Sequence, residues 1–419
     1  MQTLALDALL AFVLAVPVVM KYRILPVAGT PYWLFALLFF ILVANVLVSL
    51  YPGLFGKKLP VEKLKSVLLW STLAIVVGGT SMTAIIDRSK TAPVYGVHDI
   101  ILQQESALRY LLEGKNPYKE TYFGTPLEEW HYDELGKPAV NPALYHFVMP
   151  PWYLLFSFLF YGISIPLLGF FDGRMPLVFC LFGTLFIISR WFKERKIANI
   201  TLLLVALSPA VIDYFIEGRS DIFALFWFVW ALYLLEKKKF LLSAGIFALA
   251  VLSKQTIWFA APFYGVYVWI TGKKSTSTVF KSLLVVLAVV ALIAGPFILW
   301  NARAFTDSVV FYLSGNTPQS YPVSGYGLGM LLYELGVIRD IHAYYPFTLW
   351  QLGLGLPAMG IGLWWLAKKP VMSRLILGYG VTLLVIWYVS RYLNNSHLGY
   401  VSTILILAVL KDWDEKISV

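Results

Sequence analysis

Long runs of apolar residues constrain this chain more than any other feature. Each run extends for about 15 to 23 residues, the length of a helix that crosses the hydrocarbon core of a bilayer. In lipid every backbone polar group must be paired within the structure, so only helices and closed barrels cross a membrane. Barrel strands alternate apolar and polar residues, and these runs do not alternate. The sequence therefore predicts an all-α, polytopic membrane helical bundle.

Composition agrees with a chain that lies mostly in lipid. Of its 419 residues, 59% are hydrophobic and 13% are charged, whereas soluble domains carry about 25% charged residues. The net charge of +10 is typical of a membrane protein with basic loops, and we expect no nucleic-acid partner. The single cysteine, Cys180, excludes an intrachain disulfide and a cysteine-based metal site.

Twelve apolar segments are candidate membrane spans. They are Leu4–Met20, Pro31–Leu50, Ser66–Ile86, Met175–Phe192, Asn199–Ile216, Ile222–Leu235, Phe240–Leu252, Ile257–Thr271, Thr278–Trp300, Phe347–Leu366, Val371–Ser390 and Leu398–Leu410. We divide the chain into two N-terminal spans (1–65), a core with a long polar loop at 87–145 (66–272), and C-terminal spans with a second long loop at 301–346 (273–419).

Short basic loops predict the orientation of the bundle. Lys and Arg collect in cytoplasmic loops, and here they cluster at 57–65, 190–196, 237–239, 273–281 and 368–374. We therefore place both termini in the cytoplasm and both long loops, with all five histidines and most acids, on the outer face. The expected location is the cell membrane in a prokaryote or the ER membrane in a eukaryote.

A thirteenth apolar run, His146–Phe171, is predicted not to cross the membrane. The preceding span ends outside, and the span that begins at Met175 must end inside at the Lys193 cluster. Prolines and glycines interrupt the run at Pro150, Pro151, Gly162, Pro166 and Gly169. We interpret it as a juxtamembrane helix in the outer leaflet. The alternative is a true crossing with the Lys193 cluster outside.

Two groups of polar residues stand beside the predicted outer ends of the early spans. His98-Asp99 precedes an apparently helical run, where an Asp is also a common N-cap. The turn Glu217-Gly-Arg219-Ser-Asp221 carries charges that either pair with each other or face a shared cavity. Nearby aromatic residues suit an interface belt or a surface that stacks on a sugar.

Two further groups contain cations. Lys254-Gln255 lies between two spans too short to cross the full bilayer. A half-buried Lys254 needs an anionic partner, either an acid such as Asp221 or a ligand phosphate; snorkelling to the interface is the alternative. Arg391 follows a late span and is either a bidentate phosphate clamp or an interface anchor.

A series of short motifs runs in a fixed order between about Asp87 and Pro262. The motifs are His98-Asp99, Glu113-Gly-Lys-Asn-Pro-Tyr118, Asn141-Pro-Ala-Leu-Tyr145, Pro150-Pro-Trp-Tyr153, Ser208-Pro209, Gly218-Arg-Ser-Asp221, Gly245, Leu252-Ser-Lys254 and Pro262. In this order they resemble the membrane glycosyltransferases of the GT-C superfamily, most closely the branch that uses polyprenyl-phosphate sugars. The two spans before Ser66 depart from that family, whose catalytic loop usually follows its first span.

The resemblance implies an inverting glycosyltransferase. A sugar, mannose by the resemblance, would move from a polyprenyl or dolichyl phosphate to an acceptor hydroxyl on the non-cytoplasmic face. Asp99 would be the general base, and Lys254, Gln255 and Arg391 would bind the donor phosphate. The residues expected to bind sugar or acceptor are His98, Tyr145, His146, Glu217, Arg219 and Asp221.

No metal or cofactor is expected beyond the lipid-phosphate sugar as co-substrate. The other expected partners are a lipid, glycan or protein acceptor and the membrane lipids. The alternative function is a polytopic transporter or flippase of lipid-linked or small polar substrates. Transporters usually contain two related halves, and the sequence has no such repeat. A ligase or polymerase that uses diphosphate donors would carry more outer arginines.

Overall fold

The computed structural model describes residues 6–22, 31–51 and 61–417, and these fold mainly into helices. The seventeen helices of the described residues are α1 (Leu6–Tyr22), α2 (Tyr32–Leu50), α3 (Val61–Lys90), α4 (Asp99–Leu112), α5 (Pro151–Leu168), α6 (Met175–Trp191), α7 (Arg195–Leu207), α8 (Pro209–Glu217), α9 (Asp221–Glu236), α10 (Phe240–Val251), α11 (Ala261–Thr271), α12 (Thr276–Trp300), α13 (302–314), α14 (Leu328–Glu334), α15 (Phe347–Lys368), α16 (Met372–Tyr388) and α17 (Asn395–Ile417). The predicted all-α class is confirmed. Lys57, Lys58 and the first residues of the first predicted span lie outside the described residues.

Short elements connect the helices. The antiparallel pair β1 (Asp133–Glu134) and β2 (Lys137–Pro138) forms a hairpin in the first long loop. The parallel pair β3 (Ser324–Gly325) and β4 (Tyr392–Leu393) joins the second long loop to the segment between α16 and α17. Single 3-10 turns occupy Pro126–Glu129, Pro142–Leu144 and Gln255–Ala260. Both long loops are therefore ordered structures that pack on the helices.

Five helices are long and apolar enough to cross a membrane singly: α2, α3, α5, α12 and α15. The pair α7 and α8 would make a sixth span if the two are read together, and α6, α10 and α16 are shorter apolar helices. The apolar helices agree with a membrane protein. The total of twelve crossings stays a prediction.

The predicted span Asn199–Ile216 is two helices in the structure. The axes of α7 and α8 differ by 50° at Ser208-Pro209. Proline lacks the N–H that a helix interior needs, and its ring disfavours helical backbone in the residue before it. Ser208 accordingly adopts an extended ψ of 129°. The proline thus bends the predicted span, and a crossing by the two helices as one broken span stays a prediction.

The helix α5 is continuous, although its sequence predicts interruptions. Pro151 occupies the first turn, where no N–H is required. Gly162 and Pro166 lie within the helix, and Gly169 ends it in the left-handed conformation with φ +76°. The prolines and glycines thus bound α5 without dividing it. Its location in one leaflet stays a prediction.

The basic loops meet at one end of the bundle, called here the basic end, formed by residues 190–196, 237–239, 272–281, 368–374 and 411–417. Backbone N–H groups of Lys193 and Glu194 donate to Asp414 at the end of α17, each at 2.8 Å. Lys411 pairs with Glu236 at the end of α9. The compartment that this end faces stays a prediction.

The N-terminal helix contacts the core at both ends. At its start Asp7 pairs with Lys65 at 2.8 Å and accepts a hydrogen bond from Asn199. At its other end Lys21 pairs with Asp213 at 2.6 Å. Asp213, at membrane depth in the predicted topology, therefore anchors α1 to α8.

A buried ionic network connects the helices at the opposite end of the bundle. Arg88, at the end of α3, donates to both carboxylate oxygens of Glu105 on α4, at 2.7 and 2.8 Å. Arg88 also reaches Asp172 at 3.0 Å, and Arg174 donates to Asp172 at 2.9 and 2.8 Å. Two arginines and two acids balance each other in the interior, which limits the cost of burying them.

Gly218 lets α8 approach α4 closely. Its φ is +93°, and a Cβ at this position would lie 2.5 Å from Ile101 and 2.9 Å from Arg174. The preceding carbonyl, of Glu217, accepts a hydrogen bond from the backbone N–H of His98 at 2.8 Å. A side chain at Gly218 would therefore displace the start of α4.

We predict that Gly218→Ala lowers the stability of the purified protein more than Gly114→Ala. Both glycines have positive φ, so both substitutions incur a backbone cost of about 1–2 kcal/mol. Gly114 has open space around it, whereas Gly218→Ala adds an overpacking cost of about 1–3 kcal/mol. Thermal unfolding in detergent measures the difference; equal losses would show that the contact with Ile101 is not tight.

Candidate active site

Seven chain segments enclose one cavity at the end opposite the basic end. Its volume is about 440 Å³, and its walls come from α4, the β1–β2 hairpin, the loop before α5, the turns before α9 and α11, the second long loop and the start of α17. The sequence-predicted site residues that line it are His98, Asp99, Arg219, Asp221, Lys254 and Gln255. Residues far apart in sequence are thus brought to one space.

Asp99 is the first residue of α4, and the N-cap position belongs to His98. Asp99 is therefore not the N-cap of α4. One carboxylate oxygen of Asp99 lies 2.6 Å from Nδ1 of His98. The other accepts a hydrogen bond from Nδ2 of Asn141 at 3.1 Å. Both contacts orient the carboxylate within the cavity wall.

The electrostatic surroundings keep Asp99 ionised. Burial alone would raise the pKa of this carboxyl, but the adjacent His98 ring, the hydrogen bonds from His98 and Asn141, and the charge of Arg219 lower it below its ordinary value. An Asp with an ordinary or lowered pKa is deprotonated at neutral pH. Asp99 is therefore in the form that can accept a proton.

Lys254 lies in the turn between α10 and the 3-10 turn that precedes α11. Its Nζ donates to Oδ1 of Asp221 at 2.7 Å, and the two side chains are 18% and 16% exposed. Asp221 is the first residue of α9, where the helix dipole favours a carboxylate. The anionic partner that a half-buried Lys254 requires is present in Asp221.

Arg219 is the second cation of the cavity wall. Its guanidinium lies over the ring of Tyr214, and Nη1 donates to Ser396 at 3.3 Å. The neighbouring Glu217 does not line the cavity; its side chain is 47% exposed and 3.6 Å from Arg219. Gln255 lines the wall and donates from Nε2 to two backbone carbonyls, which leaves its amide N–H groups occupied.

Tyr145 and His146, predicted to bind sugar or acceptor, do not line the cavity. Tyr145 packs edge-on against Phe123. The His146 ring lies 5.2 Å from that of Tyr312 and its Nδ1 lies 3.3 Å from Ser308, while burial lowers the pKa of this histidine. The loop that carries both residues also carries Asn141, which contacts Asp99, and Met149, which lines the cavity. Tyr145 and His146 therefore support the wall from behind.

Arg391, predicted to be a phosphate clamp, is also outside the cavity. The residue is 2% exposed, and its guanidinium donates to the carbonyl oxygens of Tyr321, Ala343 at 2.9 Å and Ile341 at 2.8 Å. Each of the three guanidinium nitrogens thus donates to a carbonyl of the second long loop. Arg391 therefore holds Tyr321 and the loop in place, whereas its contact with the donor phosphate stays a prediction.

Several cavity residues were not among the predicted site residues. The side chains that add aromatic and amide groups to the wall are Trp130, Tyr132, Tyr312, Tyr321, Tyr392 and Asn394. Asn141 belongs to one of the motifs on which the family resemblance is based, and this motif was the one indication in the sequence that Asn141 has a role. Tyr312 lies in the second long loop, where the sequence has no periodicity that places it. Within the described ranges no group of three or more His, Cys, Asp and Glu side chains could hold a metal ion.

Apolar helices thus surround a polar cavity that contains a carboxylate and two cations, an arrangement that suits a membrane enzyme. The sequence profile of glycosyltransferase family 87 matches residues 147–410, more than half of the chain. The chain belongs to this family and is a membrane glycosyltransferase, as predicted. No curated protein matches the chain. The matched residues include Asp221 and Lys254, whereas Asp99 precedes them.

We predict that Arg391→Lys lowers thermal stability while the KM for the sugar donor is unchanged. Lysine keeps the charge but cannot reach three carbonyls in a fork, and each carbonyl left unpaired costs about 1–3 kcal/mol. Arg303→Lys is the control, because the Arg303 side chain is 90% exposed. A raised donor KM with unchanged thermal unfolding would instead indicate phosphate contact.

Proposed function

We propose that this chain is an inverting, multi-pass glycosyltransferase of GT-C type. It transfers a sugar, mannose being the best candidate, from a polyprenyl or dolichyl phosphate to an acceptor hydroxyl. The supporting observation is that Asp99 and Lys254 line one cavity at the end opposite the basic end. If the basic end is cytoplasmic, as its charge indicates, transfer takes place on the non-cytoplasmic side.

Asp99 acts as the general base in this proposal. Its carboxylate accepts the proton of the acceptor hydroxyl while that oxygen bonds to the anomeric carbon. The bond from the anomeric carbon to the phosphate oxygen breaks on the opposite face, so the configuration inverts. His98 and Asn141 each occupy one lone pair of the carboxylate, which leaves further lone pairs for the acceptor. Such base catalysis contributes about 10²–10⁴-fold.

Lys254 and Arg219 stabilise the leaving phosphate. Both cations line the cavity, and neither is consumed by backbone carbonyls as Arg391 is. Asp221 balances Lys254 before the donor binds, and the phosphate then adds a second anion beside the same ammonium group. Charge that develops on the leaving oxygen is stabilised by these fixed groups without reorganisation.

The aromatic wall suits a sugar ring. Tyr132, Tyr321 and Tyr392 offer ring faces with hydroxyl groups, and Asn394 adds an amide. A cavity of about 440 Å³ is within the ordinary range of small-molecule sites. The donor's lipid tail would remain in the bilayer while its phosphate lies at the depth of Lys254.

We predict that Asp99→Asn lowers sugar transfer at least ~10²-fold, because the amide cannot accept the proton. Thermal unfolding should change little, since asparagine keeps the shape. Glu113→Gln is the matched control: it removes one negative charge at the other end of α4, where the Glu113 side chain is 53% exposed. Near-normal turnover by Asp99→Asn would refute its role as base.

The donor is tested separately with the purified wild-type protein. Radiolabelled polyprenyl-phosphate mannose and glucose, a polyprenyl-diphosphate sugar and a nucleotide mannose are each incubated with membrane extract as acceptor source. Transfer from a polyprenyl-phosphate sugar, with Lys254→Gln raising its KM, is the expected result. Transfer from the nucleotide sugar alone would overturn the lipid donor and leave the base untouched.

The pH profile provides a further prediction. The base must be ionised, so activity is lost as pH falls through its pKa. His98→Leu removes the largest influence that lowers the Asp99 pKa and leaves burial, which raises it. The acid limb of kcat/KM should therefore move to higher pH. His342→Leu is the control, because His342 is half exposed and contacts Glu134 outside α4; an equal shift there would contradict the assignment.

A further inference from the structure

A second open cavity lies at the basic end, remote from Asp99. Its volume is about 490 Å³, and it lies between the ends of α3, α6 and α9 and the start of α7. Four cationic side chains line it, namely Arg190, Lys193, Arg195 and Lys237. Hydroxyl groups and rings complete the wall: Ser66, Ser189, Trp70 and Tyr233.

No acid is among the described residues that line this cavity. Three acids of the same end are engaged elsewhere. Glu236 contacts Trp191 and Lys411, and Asp414 contacts Lys411 and the backbone N–H groups of the α6–α7 turn. Glu194 caps α7. Four like charges around one concavity raise the local potential and attract an anion.

The turn that carries these cations is fixed in position. Both backbone N–H groups of Lys193 and Glu194 donate to the same oxygen of Asp414, and Asp414 itself is fully buried. Lys237 ends its helix with its ammonium group over the ring of Tyr233. The cations therefore surround the cavity on ordered backbone, unlike a set of mobile surface lysines.

Apolar surface borders the cavity on two sides. Val67, next to Ser66, is 60% exposed, and Phe186, which lines the cavity, is 61% exposed. In a membrane protein such side chains face hydrocarbon. A ligand that fills the cavity would thus have its charge among the cations and apolar chains along α3 and α6, which is the shape of a phospholipid and not of a soluble anion.

We propose that this cavity binds the phosphodiester headgroup of an anionic phospholipid from the adjacent leaflet. Basic pockets between membrane helices on one side of the bilayer bind such headgroups, and each basic residue near the surface contributes appreciably. The two serine hydroxyls are additional donors to phosphate oxygens. The bound headgroup would bridge α3, α6, α7 and α9. The site is independent of the sugar-transfer chemistry.

The test uses native mass spectrometry of the full-length protein in uncharged detergent. Dioleoyl phosphatidylglycerol should be retained roughly tenfold or more over dioleoyl phosphatidylcholine. Arg190→Gln/Lys193→Gln/Arg195→Gln/Lys237→Gln should abolish this preference, because it removes all four cations that line the cavity. The control with the same loss of charge is Lys273→Gln/Lys274→Gln/Lys368→Gln/Lys369→Gln, whose lysines lie at the same end but do not line the cavity; it should keep the preference.

Three results would overturn the proposal. Equal retention of both lipids would remove the charge selectivity. An equal loss in the control variant would indicate general attraction by the basic end instead of a site. Displacement of phosphatidylglycerol by inorganic phosphate at similar concentration would indicate a soluble-anion site. If the fourfold variant does not fold, the pairs Arg190→Gln/Arg195→Gln and Lys193→Gln/Lys237→Gln decide, each with an expected partial loss.

Discussion

The buried pairing of Arg88 and Arg174 with Glu105 and Asp172 determines where α4 begins. In an interior of low dielectric a charge without a partner is very costly, so these groups are held to a geometry that satisfies all of them. Arg174 also donates to carbonyls of three separate segments, those of Ala84, Gly96 and Ile216. The ends of α3 and α8 and the starts of α4 and α6 therefore converge on one point. Asp99 is the first residue of the helix that this network holds.

The proposed base and the proposed phosphate-binding cation have separate partners in the cavity. Asp99 is held by His98 and Asn141, whereas Lys254 is held by Asp221. Each charged group thus has its own partner on a different part of the chain, so the two do not depend on each other for charge balance.

Sequence reasoning could place Asp99, Asp221 and Lys254 together because each follows or precedes an apolar run on the same predicted side. It could also find α4, which ends before Gly114. Sequence reasoning could not distinguish a cation in the cavity from one behind its wall. Arg391 lies at a span end, as Lys254 does, but the second long loop surrounds Arg391 with carbonyl groups. The fold of that loop could not be predicted because its sequence has no periodicity. The effect of each proline was also hard to predict from sequence. Pro209 breaks a helix within a predicted span, whereas Pro151, interpreted as an interruption, begins a helix.

The two halves of the site have different relations to the family. Lys254 and Arg219, the groups proposed to bind the donor phosphate, lie with Asp221, the partner of Lys254, within the residues that match family 87, whereas Asp99 and the β1–β2 hairpin precede them. The earlier half is joined to the matched half by the hydrogen bond from His98 to Glu217 and by the close packing of Gly218 on α4. Under the proposed function, the base and the groups that bind the donor phosphate therefore lie on separate parts of the chain, and the contact at Gly218 holds the two parts in register.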